Sequence, residues 1–260
     1  NLADQLPVSV AGLVMDNDFG LAYEMGFEAY VEQNPDVVAE YLPVRHDPAA
    51  PTLTNEVTTI AAFDPDVFIS MTAGNPCLLA IQEVEASGLY DRLDAAFTPS
   101  VCKGIAAYLA PAGMAADGYW IVGGGAKDTT DSGKMDEPFI AFARDLISDA
   151  GEDPSISLTG EGVFRGYAFT EAFRIADALP GGMSRTNLML ALRNFKVFSP
   201  CIMDGIQTEL KGNSDAYFIE GSDFSQFDAE AQSWNIIGEV VDANGGTPNC
   251  RWDKANGGCR

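Results

Sequence analysis

Apolar runs of strand length alternate with stretches of helical pattern through the first 120 residues. Val8-Ser9-Val10-Ala11-Gly12-Leu13-Val14-Met15 is an apolar run that stops at Asp16-Asn17-Asp18. Short polar side chains of that kind satisfy the free N–H groups of a first helical turn. The pattern predicts a helix from about Phe19 to Glu32, stopped by Asn34-Pro35, since the residue before a proline is pushed out of the helical region. Val37 to Val44 reads as a second strand, followed by a proline-rich loop from His46 to Pro51 and a helix that Thr54 caps and Asp64-Pro65 closes. Val67-Phe68-Ile69-Ser70-Met71 has the continuous apolar pattern of a strand buried on both faces. The next helix follows Thr72-Ala73-Gly74-Asn75-Pro76, reaches Ser87 and is ended by Gly88. Ala95 to Pro99 and Tyr119 to Val122 read as fourth and fifth strands.

Strands interleaved with helices in this way imply an α/β fold with a parallel, doubly wound, Rossmann-like sheet. Ligands of such sheets bind at the carboxyl ends of the strands. The pattern therefore singles out the loops Asp16 to Phe19, Arg45 to Asp47, Thr72 to Asn75 and Ser100 to Lys103.

The texture changes after Gly123-Gly124-Gly125, a hinge or crossover between lobes. Helices are predicted from about Glu137 to Ala150, Gly162 to Leu179 and Ser184 to Asn194, and strand-like runs over Asp215 to Glu220 and Trp234 to Val241. The expected organisation is an α/β domain over residues 1–124, a helical segment over 125–198, and return strands with a tail over 199–260. No internal repeat and no low-complexity tract interrupts it.

Composition narrows the function classes. The 260 residues carry 38 acidic against 15 basic side chains, a formal net charge of -23. A surface of that sign repels phosphate backbones and anionic lipid, so neither nucleic acid nor a membrane surface is an expected partner. No apolar run is long enough to span a bilayer. The first residues lack the basic and apolar regions of a signal peptide, so that a targeting segment has been removed or the chain begins inside a longer polypeptide.

Five cysteines are present. Cys250 and Cys259 flank a short loop rich in glycine and asparagine that closes easily into a disulfide; a zinc site competes with this reading, but no CxxC and no nearby histidine supports it. Cys77 and Cys102 follow the third and fourth strands. Adjacent strands lie about 4.8 Å apart, close enough for a second disulfide, the alternative being two separate buried thiols. Disulfides point to an oxidising compartment, and one cysteine is left over.

Catalytic motifs are missing. The sequence has no GxSxG and no HExxH, the lysine of Gly123 to Lys127 is not followed directly by Ser or Thr as a phosphate loop requires, and Gly160-Glu161-Gly162 with Gly166 misses the dinucleotide spacing. A triad would have to use His46, the one histidine. No cofactor and no metal is expected, and the chain reads as a non-enzyme. A flavodoxin-like or hydrolase-like enzyme using the same strand-end loops stays as an alternative.

Several stretches, in order, resemble type I periplasmic solute-binding proteins of the branched-chain amino acid and amide class of ABC transporters. Asn17-Asp18-Phe19-Gly20 resembles the family's ND(Y/F)G turn, and Pro51-Thr52-Leu53-Thr54 the segment that opens its next helix. Asp64-Pro65-Asp66-Val67-Phe68 resembles its PDVV strand start, and Ala86-Ser87-Gly88-Leu89 its AGL helix end. Ala116-Asp117-Gly118-Tyr119 resembles the approach to its crossover strand, Arg165-Gly166-Tyr167-Ala168-Phe169 its GYDA helix, and Arg185-Thr186-Asn187 to Leu192 its REAVRDAL helix. The resemblance implies that residues 1–124 form lobe two. It also implies that the stretch building most of lobe one is not part of this chain, so a segment completing that lobe is an expected partner. It further implies extracytoplasmic binding of a small organic solute (amino acid, amide or small carboxylate) for delivery to a transporter permease, in the periplasm or at the cell surface. An extracellular sensor domain shares this fold and is a further alternative.

The ligand-contact candidates are Asp18, Phe19, His46, Thr72, Ala73, Gly74, Asn75, Ser100, Val101 and Lys103. Phe19 is the aromatic which the family packs on its ligand; alternatively it staples its own helix. Where amino-acid binders present an acidic group after the fourth strand, this chain has Ser100-Val101-Cys102-Lys103. That disfavours a plain α-amino acid or moves its ammonium anchor to Asp16, Asp18 or the absent lobe segment. Lys103 meets a ligand carboxylate or is a solvated surface lysine. His46, between Arg45 and Asp47, reads ligand charge or is held in its loop by hydrogen bonds.

Overall fold

The fold is described from a computed structural model, for residues 4–212 and 214–246 and for the backbone of Trp252–Asp253 and Gly258–Cys259. The chain divides into two compact units. Unit 1 comprises residues 1–123, 130–133 and 225–237, and unit 2 comprises 124–129, 134–224 and 238–260. The first crossing falls inside the glycine triplet. Part of the segment 199–260, grouped by sequence as return strands and tail, lies in unit 1.

Unit 1 opens with β1 (Val8–Met15), α1 (Asp18–Gln33), β2 (Val38–His46), α2 (Thr54–Phe63), β3 (Val67–Met71), α3 (Asn75–Ala86) and β4 (Ala95–Pro99). A π-turn over Ile105–Leu109 and the short α4 (Ala110–Ala112) lead to β5 (Trp120–Val122). The expected parallel sheet is present: β1 pairs with β2 and β3, β3 with β4, and β4 with β5, all in parallel. Two later strands, β7 (Phe224–Asp228) and β8 (Ser233–Ile236), extend it to seven in the order β2-β1-β3-β4-β5-β7-β8, with β7 and β8 antiparallel.

Alternation along the strands sends side chains to two covered faces, which is why the sequence shows unbroken apolar runs there. Val8 and Val10 of β1 and Val67 of β3 pack with Phe27 and Val31 of α1. Ala11, Leu13 and Phe68 point the other way, into the main core with Leu53 and with Val57 and Ile60 of α2 and Ile81 and Val84 of α3. The connections β1-α1-β2 and β2-α2-β3 thus lie on opposite faces, the signature of a doubly wound sheet.

Unit 2 contains α5 (Pro138–Asp149), α6 (Ser157–Ala178) and α7 (Arg185–Arg193), together with an antiparallel pair of β6 (Gly221–Ser222) and β9 (Val241–Asp242). One of its buried apolar clusters is Ile140, Phe164 and Cys201, with Phe139 and Tyr167 against them, and Ile147, Phe195, Ile202 and Met203 are buried as well. Helix α6 begins five residues before its expected start. Glycines 160 and 162 discourage a helix by propensity, but Ser157 and Gly160 are buried, and a β-carbon on Gly160 would meet Thr129 Oγ1 at 2.0 Å. Close packing decides what propensity leaves open. The strand-like run Asp215 to Glu220 forms isolated bridges, Asp215 with Lys211 and Ile219 with Thr208, because its two ends pair with different stretches. The run Trp234 to Val241 is divided between β8 and β9. The tail carries a two-residue antiparallel pair, β10 (Trp252–Asp253) with β11 (Gly258–Cys259). The expected Cys250–Cys259 disulfide lies outside the described residues.

Candidate functional site

Strand order reverses between β1 and β3: β1 connects to β2 on one side of itself, and β3 lies on the other. Such a switch point opens a crevice at the carboxyl ends of the two strands. The loops Asp16 to Phe19 and Thr72 to Asn75 flank it.

At β1 the Asn17-Asp18-Phe19-Gly20 turn has a physical reason at two of its positions. Asn17 Oδ1 accepts from Gly20 N–H at 3.1 Å, capping α1. Gly20 packs on the end of β1 so tightly that a β-carbon would stand 2.0 Å from Met15 O, so only glycine lets the helix begin there. Asp16 and Asp18 are exposed. Phe19 is half-buried, its ring 5.0 Å from that of Tyr23 one turn along α1. At β3 the turn depends on Gly74, whose φ of 69° and ψ of -143° suit a residue without a β-carbon. Gly74 and Asn75 are exposed and Ala73 is half-buried.

Cys77 in the first turn of α3 and Cys102 after β4 form a disulfide, with a Cα–Cα distance of 5.6 Å. The adjacency of β3 and β4 brings the two together, as their spacing from the strand ends predicts. Cys201 is a free, buried thiol that burial pushes up to a pKa of about 11. The loop Ser100–Cys102 is a single 3-10 turn; Ser100 is half-buried and Val101 exposed. Lys103 is only 6% exposed, which corrects the solvated-lysine reading. Its backbone carbonyl accepts from Trp234 Nε1 of β8 at 3.0 Å. Nothing in the sequence announces that bond, which joins positions 131 residues apart.

His46, the last residue of β2, is 2% exposed, and Thr72 is fully buried. The ring Nδ1 lies 3.0 Å from the carbonyl oxygen of Asp47, and Nε2 lies 3.0 Å from Thr72 Oγ1. A carbonyl only accepts, so Nδ1 carries a proton. The backbone carbonyl of His46 accepts from Asp16 N–H at 2.9 Å. On the α1 side, Arg45 pairs with buried Glu24 at 2.8 Å. Burial, reinforced by the negative charges of Glu24 and Glu28, pushes the Tyr41 hydroxyl well above its ordinary pKa.

Of the ten expected ligand contacts, Asp18, Phe19, Ala73, Gly74, Asn75, Ser100 and Val101 present exposed or half-buried groups. His46, Thr72 and Lys103 lie beneath them. No cluster of side chains suited to a metal occurs among the described residues, and no helix there is long and apolar enough to cross a membrane. Unit 2 has its own cavity of about 400 Å³, lined by the loop from Lys196 to Thr208 with Phe198, Ile202 and Met203.

No protein-family model and no curated protein matches the chain. Solved structures do. A branched chain amino acid ABC transporter protein from Thermus thermophilus with bound valine superposes with a TM-score of 0.76 at 14% identity, over 94% of this chain and 63% of that one. A solute binding protein of an ABC transporter from R. palustris, in complex with 4-hydroxybenzoate, gives 0.70 at 15% identity, over 93% and 62%. A fatty acid ABC transporter substrate-binding protein from Thermomonospora curvata gives 0.68 at 14%, over 92% and 58%. The chain therefore spans between 58% and 63% of the length of these three. At such identities the likeness is one of fold, and the fold is that of the type I periplasmic binding proteins of ABC transporters, as the sequence motifs implied.

Proposed function

We propose that the chain binds a small organic solute (an amino acid, amide or small carboxylate) at the carboxyl edge of the unit 1 sheet and serves delivery to an ABC importer outside the cytoplasm. The observation that carries this is the switch point between β1 and β3, where the loops 16–19 and 72–75 offer exposed polar groups and one aromatic ring. Asp18, Phe19, Ala73, Gly74, Asn75, Ser100 and Val101 are the proposed contacts, with His46, Thr72 and Lys103 supporting them from below. Binding proteins of the same fold that hold valine and 4-hydroxybenzoate support a solute of that size. The Cys77–Cys102 disulfide supports an oxidising, extracytoplasmic setting. A transporter permease and a segment completing lobe one are the proposed protein partners. The proposed activity is binding without turnover.

Native mass spectrometry of gently purified protein, followed by thermal melts with amino acids, amides and small carboxylates that include valine and 4-hydroxybenzoate, tests the reading. A one-to-one adduct and a raised melting temperature with the compound recovered unchanged are expected. Conversion of a compound to product, or no adduct and no shift across the whole panel, overturns it.

A further inference from the structure

We infer that His46 is a positioning residue: one buried side chain that locks the loops after β1, β2 and β3 to one another and so presets the binding edge before any ligand arrives. The inference rests on the reading of that edge as the solute site. Its geometry follows from strand order. The sheet runs β2-β1-β3, with Met15, the last residue of β1, paired to His46. A bond from the end of β2 to the residue after β3 must therefore cross two strand spacings, roughly 10 Å, over the end of β1. The His46 and Thr72 side chains together span that gap, with Nε2 meeting Thr72 Oγ1 at 3.0 Å.

Three loops converge on this residue. Its carbonyl holds Asp16 N–H of the β1 loop at 2.9 Å. Its Nδ1–H donates to Asp47 O of its own loop at 3.0 Å. Its Nε2 holds Thr72, immediately before Ala73-Gly74-Asn75. The Cys77–Cys102 disulfide then carries the linkage from the start of α3 to the loop after β4, and Lys103 O to Trp234 carries it to β8. His46 and Thr72 are both buried, so neither group finds a replacement partner in water when the other is removed. That inaccessibility also separates His46 from the exposed groups proposed to touch solute.

Amide hydrogen exchange without ligand tests this, so its outcome is independent of whether a solute is ever found. His46→Gln places a side-chain oxygen where Nε2 stands and keeps the Thr72 link. His46→Asn places an N–H where Nδ1 stands and keeps only the Asp47 link. His46→Phe keeps neither. Exchange over residues 72–78 is expected to quicken about tenfold or more in the Asn and Phe variants and to stay near wild type in the Gln variant, with Val10–Leu13 and Phe68–Ile69 protected in all. Thr72→Val should reproduce the loosening from the other side of the bond, and Thr72→Ser should not, which keeps the test open where a His46 variant fails to fold. Equal exchange in every variant, loss in the Gln variant as large as in the Phe variant, or loss spread across the whole sheet overturns the positioning role.

Discussion

Replacing both Cys77 and Cys102 by alanine should destabilise unit 1 by about 3.5 kcal/mol. The two residues are 25 apart in sequence, and both are buried. Closing a loop of that length removes about 12 cal/mol/K of chain entropy from the unfolded state, and at 25 °C that converts to the figure given. Alanine is the right replacement, because serine would strand a hydroxyl in the core. For a unit of this size the cost corresponds to a fall in melting temperature of about 7 to 14 °C. Trp120 and Trp234 both lie in unit 1, so fluorescence in a Trp252→Phe background reads that unit selectively. Urea titration gives the free energy, and its slope shows whether the native state has changed in compactness. A loss below about 1 kcal/mol at unchanged slope would refute the argument from loop closure.

Two glycines of α6 should respond in opposite directions to alanine. Gly160→Ala drives a methyl into Thr129 and should cost about 1–3 kcal/mol; Gly162→Ala meets open space and should gain about 0.5–1 kcal/mol, both read by denaturant titration. Glu209 is only 4% exposed in its side chain, and hydrogen bonds from Lys211, Asn244 and Lys196 hold its pKa at about 2 against an ordinary 4.5. A lowered carboxylate pKa stabilises the fold fully above the ordinary value, and the contribution is lost as pH falls through the folded one. Unit 2 should therefore loosen between about pH 4.5 and 2, and Glu209→Gln should flatten that limb in an acid titration followed by circular dichroism.

The sheet of unit 1 was legible because its causes are local. Apolar runs such as Val67 to Met71 announce strands covered on both faces, and Asn17 and Gly88 mark where helices start and stop. The disulfide was legible once β3 and β4 were taken as neighbours. What escaped the sequence depends on distant partners. The addition of β7 and β8 to the sheet, and the bond from Trp234 to Lys103, join residues more than a hundred positions apart. The burial of Lys103 could not be read from Ser100-Val101-Cys102-Lys103, since a lysine's position is set by what is packed around it. His46 was visible as a strand-end histidine, but its bond across β1 to Thr72 needs the strand order. In unit 2, Asp215 to Glu220 has the composition of a strand and lacks a single partner to run beside.

The exposed apolar side chains on the helices of unit 2 have a colloidal consequence. Phe142 and Leu146 of α5, Phe169 and Phe173 of α6, and Met189 and Leu190 of α7 all stand exposed, an apolar allotment that invites association. The same chain carries 23 negative charges in excess. Repulsion between copies reaches about 10 Å at 0.1 M salt and only about 3 Å at 1 M. Dispersion of the protein in dilute buffer is then an electrostatic state, and concentrated salt both screens the repulsion and strengthens the apolar attraction. Ionic strength becomes the variable that decides whether these helices meet water or one another.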